Sequence, residues 1–276
     1  MAMELAPLAE VSLVRYDDRS GKAYRLNDVV VKEAVVSLFL DGERVATFVS
    51  TPGMLEEQAL GFLFSEGIIR GLGDVKGLRV EGHHVHVDLD EEAKFRAKLR
   101  GREVIVSSAC GGYMRGFKVS LVDELALKPV ASKLSVKASA IIEAAGRLNE
   151  HCKVYRSTGG THAAALFNVK AEPLVVVEDV SRHNAFDKAV GTALIKGLGL
   201  DGVFAACTGR LSLELVLKAV RCGLPIVSSI SAPTDLGVEV AKRFNLTLIG
   251  FVRGGRFNVY SHPWRIVVQR EPSMHA

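Results

Sequence analysis

The stretch SSACGGYMRG, Ser107 to Gly116, sets a single cysteine among small residues. Ser107, Ser108 and Ala109 precede Cys110, and Gly111 and Gly112 follow it. Small neighbours let another backbone or a bulky partner approach a thiol closely. Arg115 and Lys118 can favour the thiolate, which is the reactive form. Cys110 is therefore the candidate nucleophile; the competing reading is a small cysteine packed at a strand end. The other cysteines, Cys152, Cys207 and Cys222, sit in helical or strand contexts and read as small buried residues.

A second group of residues suits anions. Ser157-Thr158-Gly159-Gly160-Thr161-His162 is a Gly-rich loop of the kind that cradles phosphate. Cys207-Thr208-Gly209-Arg210 is another, followed by a predicted helix whose first amides would favour negative charge. Phe251-Val252-Arg253-Gly254-Gly255-Arg256 adds two guanidiniums around a flexible turn, and arginine can grip phosphate with two parallel hydrogen bonds. None of these is a Walker loop or a dinucleotide fingerprint. Together they point to a phosphate-bearing ligand.

Asp179, Arg182, His183, Asn184, Asp187 and Lys188 fall within ten positions of one another. His183 and Asp187 are four apart and can share one helical face. A carboxylate there could orient an imidazole or accept from a ligand. A helix cap joined to an ion-pair network is the equal alternative. For metal, His83, His84 and His86 cluster beside Asp88 and Asp90, but the segment alternates like a solvated strand. A zinc deaminase would need H-x-E followed by P-C-x-x-C. Here the first triplet is His162-Ala163-Ala164, and Cys207 has neither the proline nor a paired cysteine. No metal site is expected.

These groups need a scaffold. The chain has 276 residues, 48% hydrophobic, enough for one large domain or two modest ones. Its net charge of +4 carries no Lys/Arg block dense enough for a nucleic-acid arm. There is no secretory signal pattern and no apolar stretch long enough to span a membrane, so a cytoplasmic protein with free thiols is expected. VVSLFL, then Asp-Gly, then ERVATFVS reads as a strand, a tight turn and a strand. A helix follows, with Thr51 as N-cap, Pro52 at its first position, an apolar stripe of Leu55, Ala59, Leu60, Leu63 and Phe64, and Gly67 as its stop. Residues 78–89 and 103–106 read as short strands. Residues 1–106 thus form a smaller α+β domain, 107–137 a loop and linker carrying Cys110, and 138–276 a larger α/β domain. From residue 138 helices and strands alternate, which predicts a layered α/β fold with a mostly parallel sheet. The polar loops fall past the carboxyl ends of its strands, where ligands usually bind such folds.

The motifs TPGMLEEQALGFLFSEGII, SSACGG, STGGTHAAAL, VEDVSRHNAFDKAVG, CTGRLSLELVLKA, SAPTDLGVEVA and GFVRGGRFNVYSHPWRI occur in order between about residues 29 and 268. On these the chain resembles the formate dehydrogenase accessory sulfurtransferase family. The resemblance implies a larger domain like the cytidine deaminase fold without its zinc chemistry. It implies a homodimer that takes persulfide sulfur from a cysteine desulfurase and delivers it to the molybdenum cofactor of formate dehydrogenase. That cofactor would be bis-molybdopterin guanine dinucleotide, with Phe251 to Arg256 as its segment and Cys110 as the reactive cysteine. The loops at Thr158 to His162 and Thr208 to Arg210 would hold phosphates, and Asp179 and Asp187, beside His183, would accept from a guanine or pterin edge. The family often carries C-G-x-C in the reactive loop. Tyr113 stands at the second cysteine's position, so a single carrier thiol is expected. The alternative is a cofactor-binding module that transfers no sulfur.

Overall fold

The computed structural model describes residues 7–100, 104–106 and 127–268. Cys110 and Tyr113 lie outside the described residues, as does 107–126 of the expected loop and linker. Strand β1 (Leu8–Asp17) and strand β2 (Lys22–Val31) make an antiparallel hairpin of their own. Then come β3 (Ala34–Leu40), β4 (Glu43–Ser50), helix α1 (Leu55–Ser65), β5 (Val75–Glu81), β6 (His84–Leu89), α2 (Glu91–Arg100) and β7 (Val104–Val106). They build a five-stranded sheet in the order β5-β6-β3-β4-β7. Asp41 and Gly42 join β3 to β4 with φ of 48° and 87°. That left-handed pair is the turn whose twist matches a two-residue hairpin.

Helix α1 carries the expected apolar stripe into a core with Val36, Leu38, Phe48 and Val87. Gly67, at φ 71°, ends it as expected, its N–H bonding to Phe64. Its start differs from the expectation. The N-cap is Met54, in the left-handed region at φ 54°, and Thr51 and Pro52 stand before the helix. Thr51 is instead a buried donor to the other half of the molecule. Helix α2 was not expected; its signal is Asp90, whose carboxylate accepts from Ala93 N–H at 2.7 Å in an N-cap arrangement. His84 and His86 flank Phe39, with the His86 ring stacked on it at 4.7 Å.

The second half runs β8 (Val136–Lys137), α3 (Ala138–His151), α4 (Lys153–Thr158), β9 (His162–Phe167), β10 (Pro173–Asp179), α5 (Arg182–Ile195), β11 (Phe204–Cys207), α6 (Leu213–Arg221), β12 (Ile226–Ser229), α7 (Asp235–Arg243), β13 (Thr247–Arg253), β14 (Arg256–Ser261) and β15 (Ile266–Val267). Six of these strands form one sheet, ordered β10-β9-β11-β12-β13-β14. Its residues point alternately to two cores. Ala164, Leu166, Ala205, Val227 and Leu248 meet α5, α6 and α7, whereas Ala163, Ala165, Phe204, Ile226 and Ile249 meet α3. The layered α/β arrangement is as expected. The mostly parallel pairing is not: β11-β12 and β12-β13 are parallel, but β10-β9, β9-β11 and β13-β14 are antiparallel. Short links explain this. Residues 168–172 and the Gly254-Gly255 turn are too brief for the crossover that parallel neighbours require.

The two halves meet at α1 and α5. A Cβ on Gly61 would lie 1.7 Å from the Asp187 carbonyl oxygen, and one on Gly191 would lie 1.8 Å from that of Glu57. Only glycine at both crossing points lets the backbones approach so closely. Charged pairs flank the crossing. Asp179, fully buried, accepts through Oδ2 from the Ser50 hydroxyl (2.7 Å), the Thr51 hydroxyl (2.7 Å) and N–H (3.1 Å), and Lys188 Nζ (2.7 Å). Its Oδ1 accepts from Ser181 N–H and Asn184 Nδ2. Asp187 accepts from the Ser65 hydroxyl at 2.7 Å and from Lys218 Nζ at 2.8 and 2.9 Å. Lys218 also lies 3.1 Å from Glu66, which pairs with Arg221 at 3.2 Å.

Candidate functional site at the carboxyl edge of the six-stranded sheet

Strands β10, β11, β12 and β13 run in one direction and β9 in the other. Their loops therefore converge on one edge of the sheet with the start of β9. A cavity of about 410 Å³ opens there, lined by Gly159, Gly160, His162 and Thr208 together with residues of α3 and with Val180 and Ile230. A shallower hollow of about 320 Å³ adjoins it, lined by Val252, Arg253, Gly254 and Gly255. Ala145, Asn149 and Ile230 wall both. Two of the three anion-suited segments and the threonine of the third thus share one continuous recess.

Local chemistry fixes each wall. The Glu178 carboxylate accepts from the first amides of α4, Val154 at 2.9 Å and Tyr155 at 2.7 Å, and from the Thr161 hydroxyl at 2.9 Å. An anion is favourable at a helix start, so Glu178 holds α4 and the loop after it as one piece. Gly159 ends α4 in the left-handed region at φ 69°. Thr158 turns its hydroxyl to Val154 O and accepts from Gly160 N–H, so it shapes the loop without lining the cavity. A Cβ on Gly160 would fall 2.6 Å from Val31, which places the end of the β1-β2 hairpin against this loop.

His162 is half-buried at the head of β9. Its Nδ1 lies 3.3 Å from the Thr208 hydroxyl, which accepts from Ala163 N–H at 2.9 Å. Burial pulls the His162 imidazole below its ordinary value, and the charges of Arg182, His183 and Arg210 add to that against the opposing Asp179. The neutral ring is thus held in a field of positive sign. Gly209 is buried under Arg182 and its carbonyl accepts from the Ser229 hydroxyl, while Arg210 is exposed.

The Phe251–Arg256 segment is built on a bulge. Gly250 pairs with Asn258 and Arg253 with Arg256, leaving one extra residue on β13. Phe251 absorbs it at φ 56°, with its N–H on Ser231 O at 3.0 Å. Bulges of this kind re-aim side chains beside functional sites. Gly254 and Gly255, at φ 59° and 74°, close the two-residue turn. Val252 is buried, Arg253 and Arg256 are exposed, and the Arg253 guanidinium sits 5.4 Å from the Phe251 ring.

Three sequence candidates fall elsewhere. Asp179 and Asp187 face the α1-α5 interface, and their oxygens are saturated by partners from the chain. Their expected role in reading a guanine or pterin edge is therefore corrected: they bind the halves together, as the ion-pair alternative had it. Burial raises the Asp187 carboxyl. Burial alone would lower Lys218, but Asp187 and Glu66 hold it above the lysine range. His183 is buried, with Nε2 3.3 Å from Glu214 Oε2, close enough for an ion pair but out of line for a hydrogen bond. Residues that sequence reasoning passed over include Glu178, Asn149 and Ile230, which lack any local pattern and enter only through the fold.

The described cysteines are poor nucleophiles. Cys152 is buried beside the cavity, donates to Leu148 O at 3.0 Å, and is pushed up to about 11 by burial and then by Glu178. Burial pushes Cys207 up to about 12 and raises Cys222 further. Among the described residues no group of three or more His, Cys, Asp or Glu is placed to hold a metal ion, and no helix is long and apolar enough to cross a membrane.

Comparison with known proteins places these features in a lineage. The sulfur carrier protein FdhD of Saccharolobus solfataricus is 39% identical over 259 residues, covering 92% of this chain and 96% of its own. The protein of the same name from Methanothermobacter thermautotrophicus is 36% identical, covering 94% and 98%. The crystal structure of a Desulfotalea psychrophila protein, described as a formate dehydrogenase accessory protein, superposes with a TM-score of 0.77 at 24% identity, covering 94% of this chain and 99% of its own; it shares the fold. The FdhD/NarQ family pattern matches residues 31–267, taking in the Cys110 stretch, both halves of the fold and the recess at the sheet edge. With matches of this extent, the chain belongs to the FdhD/NarQ family.

Proposed function

We propose that the chain is a sulfur carrier that loads a persulfide on Cys110 from a cysteine desulfurase and passes the sulfur to bis-molybdopterin guanine dinucleotide destined for formate dehydrogenase. Membership of a family whose relatives are named sulfur carriers supports the class of reaction. The observation that carries the assignment to Cys110 is the state of the other thiols: Cys152, Cys207 and Cys222 are all buried and held as thiols. In the loading step the Cys110 thiolate attacks the outer sulfur of the donor persulfide. A new S–S bond forms on Cys110, the donor S–S bond breaks, and the desulfurase cysteine leaves as its thiolate.

The cofactor is cargo, and the recess at the sheet edge is the place for it. Arg253 borders it and is exposed, Arg256 follows just past the Gly254-Gly255 turn, and Gly159 and Gly160 open the backbone on the other hollow. Phosphates would lie between these walls. A homodimer in the cytoplasm is the proposed working form. The layered second half is proposed to descend from the cytidine deaminase fold, with His162-Ala163-Ala164 in place of its catalytic triplet.

Intact-mass analysis after incubation with a cysteine desulfurase and cysteine tests the reading. One added sulfur is expected, mapping to the Cys110 peptide and absent from Cys110→Ala. Sulfur found only on Cys152, Cys207 or Cys222 would sink it. Tyr113 favours a second reading, a cofactor-binding module without sulfur transfer. Formate dehydrogenase maturation that survives Cys110→Ala would select that one.

A further inference from the structure

We infer that Arg182 anchors an oxyanion subsite, for a phosphate or pyrophosphate group, between the start of α5 and the loop after β11. The inference deepens the proposed cofactor site and rests on that reading only in taking the recess as the place of binding. Arg182 is 7% exposed, yet its Nε has no hydrogen-bond partner. No carboxylate among the described residues comes within ion-pair distance of it. The two carboxylates nearby are taken: Glu214 lies 3.3 Å from His183, and Asp179 is held by Lys188 at 2.7 Å with Ser50 and Thr51. Buried charges in proteins are ordinarily paired, so a buried guanidinium whose Nε has no partner, with no carboxylate among the described residues at ion-pair distance, points to an anion.

The surroundings say where the anion sits. The Arg182 stem lies across Gly209: a Cβ there would meet its Cβ at 2.7 Å and its Cδ at 2.8 Å. The guanidinium is thereby held beside the Thr208–Arg210 loop, close enough to His162 for its charge to act on the ring. Thr208 and His162 both line the cavity. Arg182 also opens a helix of 14 residues whose N-cap, Ser181, makes no side-chain cap. The first described helical bond is Ala185 N–H to Ser181 O, so the amides of Arg182, His183 and Asn184 precede the ladder. A guanidinium carried by the first residue of a helix suits a tetrahedral oxyanion. Arg182 was no part of the anion-suited motifs in the sequence; its role comes from its burial without a partner.

Calorimetry with inorganic pyrophosphate, GDP and guanosine tests the subsite on the full chain. Pyrophosphate and GDP should both bind, and Arg182→Gln should weaken both by tenfold or more and by similar factors. Guanosine should bind weakly and equally to both proteins. Failure of pyrophosphate either to bind the wild-type chain or to raise its Tm would overturn the subsite, whatever the variant does. Equal affinities in Arg182→Gln and wild type would overturn it too. An effect on GDP without one on pyrophosphate would place Arg182 at the nucleoside and likewise overturn it. Sulfur loading of Cys110 is read on the wild-type chain, so failure of pyrophosphate to bind it with loading intact removes this inference alone. Loss of loading with anion binding intact removes the sulfur-carrier reading alone.

Discussion

The four cysteines differ through their surroundings rather than their chemistry. A thiolate needs solvent or a nearby positive charge, and burial withholds the first. Cys152 and Cys207 are pushed up to about 11 and about 12. At pH 8, iodoacetamide should leave Cys152, Cys207 and Cys222 unmodified in the native protein and label them once urea is added; peptide mapping reads this directly. The same shifts set a pH trend. An unfolded thiol ionises near its ordinary value of 9.0, whereas these stay protonated in the fold. Their contribution to stability is therefore whole below pH 9 and lost as pH rises toward the folded values. Tm should fall between pH 9 and pH 11, and Cys207→Ala should flatten that fall. Cys110 was a candidate from its small neighbours, singled out by the family resemblance, and it lies outside the described residues. The inertness of the other three was expected from their predicted elements and rests on tertiary burial.

At the scale of elements, the crossing of α1 and α5 sets the placement of everything at their ends. Gly61 and Gly191 read in sequence as glycines inside helices, which ordinarily weaken a helix. Here they are contact points without room for a side chain. Gly61→Ala should raise helix propensity and yet destabilise the protein by about 2 kcal/mol or more, because overpacking a tight contact outweighs the propensity gain. Urea denaturation followed by circular dichroism would measure it; a neutral or stabilising result would mean the helices can part cheaply. The opposite case is α7: Thr234 caps it by accepting from Gly237 N–H at 3.3 Å. A cap is a local device and shows in local sequence. A crossing distance is not.

At the scale of the molecule, two halves with their own hydrophobic cores are joined by buried charges. The five-stranded half has its own core around Leu38 and Phe48, and the six-stranded half has one on each face of its sheet. Asp179-Lys188 and Asp187-Lys218 lie where the halves meet, with both lysines 5% exposed or less. Removing one partner of such a pair leaves a buried charge alone and costs about 3–5 kcal/mol. Lys188→Met should lower stability by that amount, whereas the double variant with Asp179→Asn should recover part of it. Tryptophan fluorescence from Trp264 and far-ultraviolet circular dichroism should give one coincident transition, since the halves share this network. Two separate transitions would show that the halves unfold independently. The sequence by itself determined the alternation of helices and strands and the layered class, and it offered the Cys110 stretch and the anion-suited loops as candidates, because these follow from periodicity, turn residues and the chemistry of neighbours in the chain. It left Asp179 and Asp187 between two roles. Only the tertiary structure decided that they bind the halves together and that Arg182 is buried with no counter-ion among the described residues. Those outcomes depend on which distant donors and acceptors the fold brings within about 3 Å, and no local pattern carries that distance.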